Sequence, residues 1–240
     1  MKIIADLHTH TIASTHAYST ILENCTYAAQ AGLLAIAMTD HAPSTPDSPH
    51  IWHFENLHCL PREIAGVKVL KGAEVNILDA DGNIDIAGAL LSKLEWVVAS
   101  FHQPAFAPAT EEIHTAAYLK AAENPHIDVI GHPVMAQYPF DHARCLAKFK
   151  ECGKLVEINE SALFNKAGAR ENTVALVRAC KQLEVPITVN TDCHFCNMIG
   201  KVPESTKLLE ELGFPERLVV NADWKRFASF LTAKRPRISL

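Results

Sequence analysis

The first ten residues end in a group of side chains that could hold a metal ion. Asp6, His8 and His10 follow the short apolar run 3–5. Residues two apart in an extended strand point to the same side, so we expect these three side chains to project together. Imidazole nitrogens bind divalent cations, and a nearby carboxylate can accept the ring N–H that the metal does not use. The spacing therefore predicts two histidine ligands, His8 and His10, supported by Asp6.

Other residues with metal-binding side chains follow apolar runs further along the chain. They are His41, Glu74, His102, His132, Asp192 and His194. In a parallel β/α barrel the carboxyl ends of the strands share one rim, and catalytic groups collect there. His16, on the first loop, can reach the same opening. We therefore expect residues spread from His8 to His194 to converge on one small region and bind metal.

Composition narrows the class of protein. The chain has 240 residues, 13 histidines, seven cysteines and a formal net charge of −5. The sequence contains no block of basic residues that would favour nucleic acid as a partner. The cysteines are odd in number and scattered, which argues against a disulfide framework and fits a reducing compartment. With no recognisable signal peptide and no stretch of membrane-spanning length, we expect a cytoplasmic protein without a membrane partner. The oligomeric state is left open.

Apolar runs alternate with helical segments along the chain. Strands are predicted at residues 33–38, 67–70, 96–100, 127–130, 155–158 and 187–190 after the first one, with a short last strand at 218–220. Helices are predicted at 21–31, 86–91, 111–123, 141–152, 171–183, 203–212 and 222–232. This order favours a parallel sheet that is either closed into a barrel or open and doubly wound. A dinucleotide fold is disfavoured because no glycine-rich fingerprint follows the first strand.

The remaining histidines and the Cys193–Cys196 pair are interpreted as structural. The histidines without a strand-end position are His50, His53, His58, His114, His126 and His142. Of these, His50 and His53 are possible substrate-loop residues. Separately, the proline-rich loop 42–52 is expected to form a wall of the pocket. Cys193 should face outward between the inward side chains of Asp192 and His194, so the cysteine pair is attributed to packing.

The motifs resemble those of the polymerase-and-histidinol-phosphatase (PHP) superfamily. The resemblance covers almost the whole chain and rests on Asp6-Leu-His8-Thr-His10, Thr39-Asp40-His41, Glu74, Ser100-Phe-His102, Gly131-His132-Pro133 and Asp192-Cys-His194. Length, motif order and the position of His16 are most similar to the stand-alone, YcdX-like phosphatase branch. The resemblance implies an α/β fold, a distorted seven-stranded (β/α)7 TIM-like barrel, with residues 1–240 forming a single PHP domain.

The resemblance also implies a centre of three divalent metal ions. Carried over by motif position, the first ion is bound by His8, His10, Glu74 and Asp192, the second by Glu74, His102 and His132, and the third by His16, His41 and His194. Zinc is the metal that the resemblance favours, and imidazole-rich sites suit zinc chemically. Manganese and iron stay open, since geometry and supply decide among them.

Such a centre suits the hydrolysis of phosphomonoesters of small molecules. A hydroxide that bridges two metals beside Glu74 and Asp192 would be the nucleophile, because metal binding lowers the pKa of water towards neutrality. The surplus of positive charge favours a phosphate dianion. Alternatives are a phosphodiesterase or exonuclease acting on nucleic-acid ends, a histidinol-phosphate phosphatase, and a metal-binding module without turnover.

Four further residues are assigned supporting roles. Asp6 and Asp40 are expected to orient ligand histidines through hydrogen bonds. Arg170 and Lys166 follow the strand that ends at Asn159, and either could bind the phosphate of the substrate. A solvated loop charge is the competing interpretation for both of these cations.

Overall fold

The computed structural model describes residues 1–165 and 168–238. Within them the strands are β1 (Ala5–Thr9), β2 (Ala35–Met38), β3 (Glu63–Ile64), β4 (Val67–Asn76), β5 (Trp96–Ser100), β6 (Val129–Ile130), β7 (Leu155–Asn159) and β8 (Ile187–Asn190). Seven of them are parallel neighbours in the order β1-β2-β4-β5-β6-β7-β8, and the short β3 pairs antiparallel with β4. The predicted seven-stranded barrel is confirmed.

The barrel closes, or nearly so, between its first and last strands. Thr9 and Cys193 form a parallel bridge just beyond β8. The N–H of Asp192 donates to the carbonyl of His8 at 2.9 Å, and the N–H of His10 donates to the carbonyl of Cys193 at 3.0 Å. The two chain segments that carry the most closely spaced predicted ligands are thereby fixed side by side.

Helices fill the connections between the strands. They are α1 (Ile21–Gln30), α2 (Trp52–Asn56), α3 (Gly88–Leu91), α4 (Glu111–Glu123), α5 (His142–Glu151), α6 (Glu160–Asn165), α7 (Ala169–Leu183), α8 (Pro203–Glu211) and α9 (Trp224–Lys234). Thr20 begins α1 through a capping box with Glu23, which satisfies amide groups that would otherwise lack partners. Among the helices of the described residues, none combines the length and apolar character that a bilayer crossing requires.

Two apolar layers hold the fold together. The larger layer lies between the strands and the surrounding helices. The smaller one fills the amino-terminal end of the barrel, where Trp96 and Leu155 at the starts of their strands pack with Phe227 and Leu231 of α9. Because α9 closes that end, the carboxyl ends of the strands form the open end of the barrel.

β4 continues beyond the predicted end at residue 70, so Glu74 lies within a strand. Gly72 is the reason that β4 can pass close to β5: a Cβ atom at this position would lie 2.5 Å from the carbonyl oxygen of Trp96. The absence of a side chain therefore permits the close approach of the two backbones.

The predicted short strand at 218–220 is wrong. Two 3-10 turns, Glu216–Leu218 and Val220–Ala222, occupy this segment. Backbone pairing is reduced to one parallel bridge between Val219 and Ile187. The side chain of Asn221 adds further bonds: its amide nitrogen donates to the carbonyls of Ala5 and Val189, and its oxygen accepts from the N–H of Val189. One side chain thus bridges β1 and β8, and Asp223 rather than Asn221 caps α9.

Candidate metal centre

The open end of the barrel holds the histidine cluster, which we define as His8, His10, His16, His41, His102, His132 and His194. Neighbouring rings in the cluster have centroids 4.3 to 5.9 Å apart. Side chains from five strand ends and the first loop are therefore in mutual contact. A cavity of about 200 Å³, which Asp192 also lines, opens onto the cluster.

Glu74 lies at the centre of the cluster and faces five imidazoles. Its carboxylate oxygens lie 2.9 Å from His132 Nε2, 2.9 Å from His41 Nδ1, 3.3 Å from His8 Nε2, 3.4 Å from His102 Nε2 and 3.6 Å from His10 Nε2. Burial acts to raise the pKa of Glu74, but His8 and the other facing rings outweigh burial and hold that pKa well below its usual range. Glu74 is therefore an anion shared among the rings.

Ring nitrogens also approach one another away from Glu74. Nitrogens of His10, His41 and His194 lie within 4.8 Å of one another, as do ligand atoms of His16, His41 and Asp47. Burial, followed by the nearby His41, lowers the pKa of His10 to about 3. His10 is therefore neutral at physiological pH, which is the state in which imidazole binds a metal.

Several buried nitrogen and oxygen atoms at the centre of the cluster make no hydrogen bond within the described residues. They are His8 Nε2, His41 Nδ1, His194 Nε2 and Glu74 Oε2. Buried polar atoms without a hydrogen bond are costly and rare in folded proteins, and here only the close approach of Glu74 to His8 and His41 compensates some of them. The residues that carry these atoms all belong to groups that could each hold one ion. Imidazole and carboxylate ligands in such closely spaced groups fit divalent transition metals, zinc among them.

Backbone strain accompanies two of the predicted ligands. His132 has a φ of 27° and Asp192 a φ of 53°, in the region that side chains other than glycine rarely adopt. The N–H of His132 donates to Glu157 Oε2 at 2.8 Å, and the N–H of Asp192 is held by His8. These bonds fix both ligands in conformations that direct them into the cluster, a common use of strain at functional sites.

The sequence analysis missed three residues that contact the outer nitrogens of the rings. Glu157 Oε1 accepts from His8 Nδ1 at 2.8 Å, Asn76 Oδ1 accepts from His102 Nδ1 at 2.7 Å, and Asp47 Oδ2 lies 2.9 Å from His16 Nδ1. The signal for Glu157 was present, since a charged residue inside an apolar strand must have a partner. Asn76 was missed because the sequence prediction ended this strand at residue 70, whereas β4 extends to Asn76.

Asp6 does not orient a ligand histidine, which corrects the sequence interpretation. Its oxygens accept hydrogen bonds from the N–H and hydroxyl of Thr191 and from the N–H of Gly200. The cause is a β-bulge: Asp6 pairs with Ile36 and Thr9 with Met38, so β1 has one more residue than β2 over this interval. The extra residue breaks the alternation of sides, and Asp6 faces away from His8 and His10.

Asp40 acts on the histidine cluster through other residues. It accepts hydrogen bonds from the N–H and hydroxyl of Thr11 and from the hydroxyl of Ser14. The Ser14 hydroxyl lies 3.5 Å from His10 Nδ1, so the link to a ligand is indirect. His53, from the substrate-loop prediction, places Nε2 3.3 Å from the same carboxylate. Asp40 therefore connects α2 and the first loop beneath His10.

The remaining predicted contacts lie at the edge of the site. Arg170 pairs with Glu204 at 3.2 Å, and its predicted contact with phosphate stays a prediction. Lys166 lies outside the described residues. Thr45 and Asp47, both from the proline-rich loop, line the cavity of the histidine cluster, which agrees with the predicted wall. Cys193 is buried in the apolar layer between strands and helices.

The fold and this arrangement of side chains define a barrel whose opening carries groups that could hold metal ions. Comparison with known proteins gives the family. Residues 6–191 match the family described as PHP domain. A protein of Thermoanaerobacter sp. (strain X514) named probable phosphatase is 42% identical over 240 residues, covering 99% of this chain and 98% of that protein. A probable phosphatase of Aliivibrio fischeri (strain ATCC 700601 / ES114) is 41% identical over 233 residues, covering 96% and 94%. The chain therefore belongs to the PHP domain family, as its motifs predicted.

Solved structures agree with this fold. The histidinol phosphate phosphatase of Lactococcus lactis subsp. lactis Il1403, solved with zinc, L-histidinol and phosphate, superposes with a TM-score of 0.61 at 19% identity, covering 88% of this chain and 94% of that one. A chain in the structure of archaeal ribonuclease P with mature tRNA also gives 0.61, at 14% identity, covering 97% and 92%. At these identities the similarity describes the fold alone.

Proposed function

We propose that this chain is a metal-dependent hydrolase that cleaves phosphomonoesters of small molecules at a trinuclear metal centre. The observation that carries the proposal is the convergence of five imidazoles on the carboxylate of Glu74. Several of the nitrogen and oxygen atoms that could bind metal there are buried and make no hydrogen bond within the described residues. The family and the names of its relatives, which are similar over nearly their whole length, support phosphatase activity.

The charge of the site supports a role for several cations. The pKa values of Glu74, Asp192, Glu157 and Asp47 are all lowered by facing histidines that outweigh the effect of burial. These four carboxylates contribute −4 by formal charge, which His8, His41 and His132, whose pKa values are raised, partly offset as long as no metal displaces their protons. Three divalent cations bound to neutral rings would bring the formal charge to about +2, and attraction to a phosphate dianion at short range is strong even at an effective dielectric constant of about 20.

The nine predicted ligands would hold these ions. They are His8, His10, His16, His41, Glu74, His102, His132, Asp192 and His194, and Asp47 is a tenth candidate because it groups with His16 and His41. Divalent ions bound here would supply Lewis-acid chemistry, lowering the pKa of water and binding phosphate oxygens. Glu157 and Asn76 would fix the ring orientations of His8 and His102.

The extent of the site also supports a single functional domain over residues 1–240. The ligands extend from β1 to the segment after β8, and α9 packs against the starts of the barrel strands. We propose zinc as the metal, since imidazoles dominate the donor set.

Elemental analysis combined with a substrate panel tests the proposal. Purified full-length protein, His10→Ala and the control His58→Ala would be compared for metal content and for hydrolysis of phosphomonoesters, L-histidinol phosphate and a phosphodiester. His58 is an exposed histidine outside the cluster, so its variant controls for the loss of an imidazole elsewhere.

We expect two to three metal ions per chain and monoesterase activity in the wild type and in His58→Ala, with both lost in His10→Ala. Fewer than two ions per chain, or equal activity in His10→Ala, would contradict the proposal. A preference for the diester would favour the phosphodiesterase alternative, and a sharp preference for L-histidinol phosphate would narrow the activity to that substrate.

A further inference from the structure

A second cavity adjoins the histidine cluster and has a different character. Its volume is about 490 Å³, against about 200 Å³ for the cavity at the cluster, and Asp192 and His194 line both. A group bound to the ions in the smaller cavity would therefore be directly next to the larger one. The larger cavity is the natural place for the part of a substrate that carries the phosphate.

Large apolar side chains form the walls of this second cavity. Tyr18 is 74% exposed, Phe164 59%, Phe195 48% and Met198 42%. Within the described residues these are four of the ten large apolar side chains with substantial exposure. Their concentration around one cavity beside a polar site is typical of a binding pocket for an apolar ligand, because scattered exposure is the norm elsewhere.

The carboxylate of Glu160 in this cavity is already engaged. Both oxygens of Glu160 accept backbone N–H groups at the start of α8, from Glu204 at 2.9 Å and Ser205 at 2.8 Å. Each oxygen of Glu160 is thereby directed towards the start of α8. Among the residues that the structure describes, no lysine or arginine lines the cavity. Nothing in that lining favours a second anionic group on the ligand.

The aromatic wall is fixed relative to the histidine cluster. The N–H of Tyr18 donates to the carbonyl of His194 at 2.8 Å, so the segment that carries Tyr18 is tied to a predicted metal ligand. Phe195 directly follows His194. An apolar group between these rings would thus lie at a set distance from the phosphate, and flat aromatic groups stack favourably against such rings.

We propose that the substrate is a phosphomonoester of an aromatic, uncharged alcohol whose ring lies between Tyr18, Phe164 and Phe195. This inference rests on the proposed function and specifies its substrate class. Hydrolysis would break the bond between phosphorus and the ester oxygen. Water would supply OH to phosphorus, its other proton would go to the departing oxygen, and the products would be the aromatic alcohol and hydrogen phosphate.

Binding of phosphonates, which are not hydrolysed, tests this proposal without relying on activity. Calorimetry on the zinc-loaded full chain would compare benzylphosphonate, methylphosphonate and inorganic phosphate. The variants are Tyr18→Ala and Phe195→Ala, and the control is Leu22→Ala, which removes an equally exposed apolar side chain from outside the cavity. Zinc content and the melting temperature of each variant would establish that it folds as the wild type does.

We expect wild type and Leu22→Ala to bind benzylphosphonate about 10-fold more tightly than methylphosphonate, on the scale of an aromatic contact plus apolar burial. Both aromatic variants should lose most of that difference while keeping their affinity for phosphate. Equal affinity for the two phosphonates in the wild type, or equal weakening of phosphate and benzylphosphonate in the variants, would overturn the inference.

Turnover separates this inference from the proposed function. Faster hydrolysis of glycerol phosphate than of benzyl phosphate, measured as kcat/KM, would leave the phosphatase standing and refute the aromatic substrate. Failure of the zinc-loaded chain to bind any of the three anions would refute both.

Discussion

The Nδ1 nitrogen of His8 donates a hydrogen bond to Oε1 of Glu157 across 2.8 Å, although the two residues lie 149 positions apart. Glu157 is wholly buried, and it also accepts hydrogen bonds from Asn190, Asn159 and the N–H of His132. One carboxylate therefore orients one predicted ligand ring and fixes the backbone of another.

Replacing Glu157 by glutamine should weaken the centre without removing any ligand. The amide would carry no charge to stabilise the His8 N–H. Its nitrogen is a donor and could not accept the hydrogen bonds that one of the two carboxylate oxygens accepts in the wild type. Changes of this kind cost about 10- to 100-fold in metal affinity or activity. Zinc titration and turnover would measure the loss, with exposed Glu123→Gln as the control. Wild-type values for both in Glu157→Gln would refute the orienting role.

Removing the metal should lower thermal stability. Ions that bind only the folded chain stabilise it by mass action, and at 100-fold saturation the gain is about 2.7 kcal/mol. For a chain of this size that corresponds to a decrease in melting temperature of roughly 5–10 °C on chelation. Differential scanning calorimetry with and without chelator would detect it. His10→Ala should respond less, and an unchanged wild-type melting temperature would argue against a bound metal.

Replacing Asp6 by alanine should mainly destabilise the fold. The change leaves the N–H groups of Thr191 and Gly200 and the Thr191 hydroxyl without their acceptor, and unsatisfied buried donors cost about 1–3 kcal/mol each. Urea denaturation should show a loss of at least about 2 kcal/mol, while the protein that remains folded keeps its metal content. Exposed Asp81→Ala is the control. Loss of metal with unchanged stability would restore a direct role for Asp6 in the centre.

Lys154 should make stability depend on pH under alkaline conditions. Burial, followed by repulsion from Lys234, lowers the pKa of its ammonium from 10.5 to about 8 in the folded chain. Between pH 8 and 10.5 the unfolded chain therefore binds more protons at this position than the folded chain does, so this group raises the free energy of unfolding as pH rises. Asp128 and Arg235 face the same group and oppose each other.

The comparison of wild type with Lys154→Met isolates that effect. From pH 7.5 to 10 the wild type should gain up to about 2 kcal/mol relative to the variant, as measured by urea denaturation at both pH values. Lys225→Met, which alters an exposed lysine, should show no such difference. A wild type that gains nothing relative to Lys154→Met would contradict the lowered pKa of Lys154.

Runs such as 96–100 and 187–190 are short, apolar and separated by helices, which predicted a parallel sheet, either closed into a barrel or open and doubly wound. The motif resemblance to the PHP superfamily then selected the barrel. The same sequence pattern predicted the convergence of His8 with His194. It failed at Asp6, since one inserted residue reverses which side a side chain faces, and no periodicity reveals where a bulge falls. It failed at 218–220 because 3-10 turns on both sides of Val219 reduce the pairing with β8 to a single bridge.

The closure of the barrel between β1 and β8 has a consequence for how this protein matures. The histidine pair His8 and His10 and the Asp192 segment are joined only when the first and last strands meet. Because closing so long a loop carries a large entropic cost, we expect these contacts to form late in folding. A high-affinity ion could then be bound only by molecules whose barrel has already closed. Metal uptake, followed in real time during refolding, would therefore report when β1 and β8 come together.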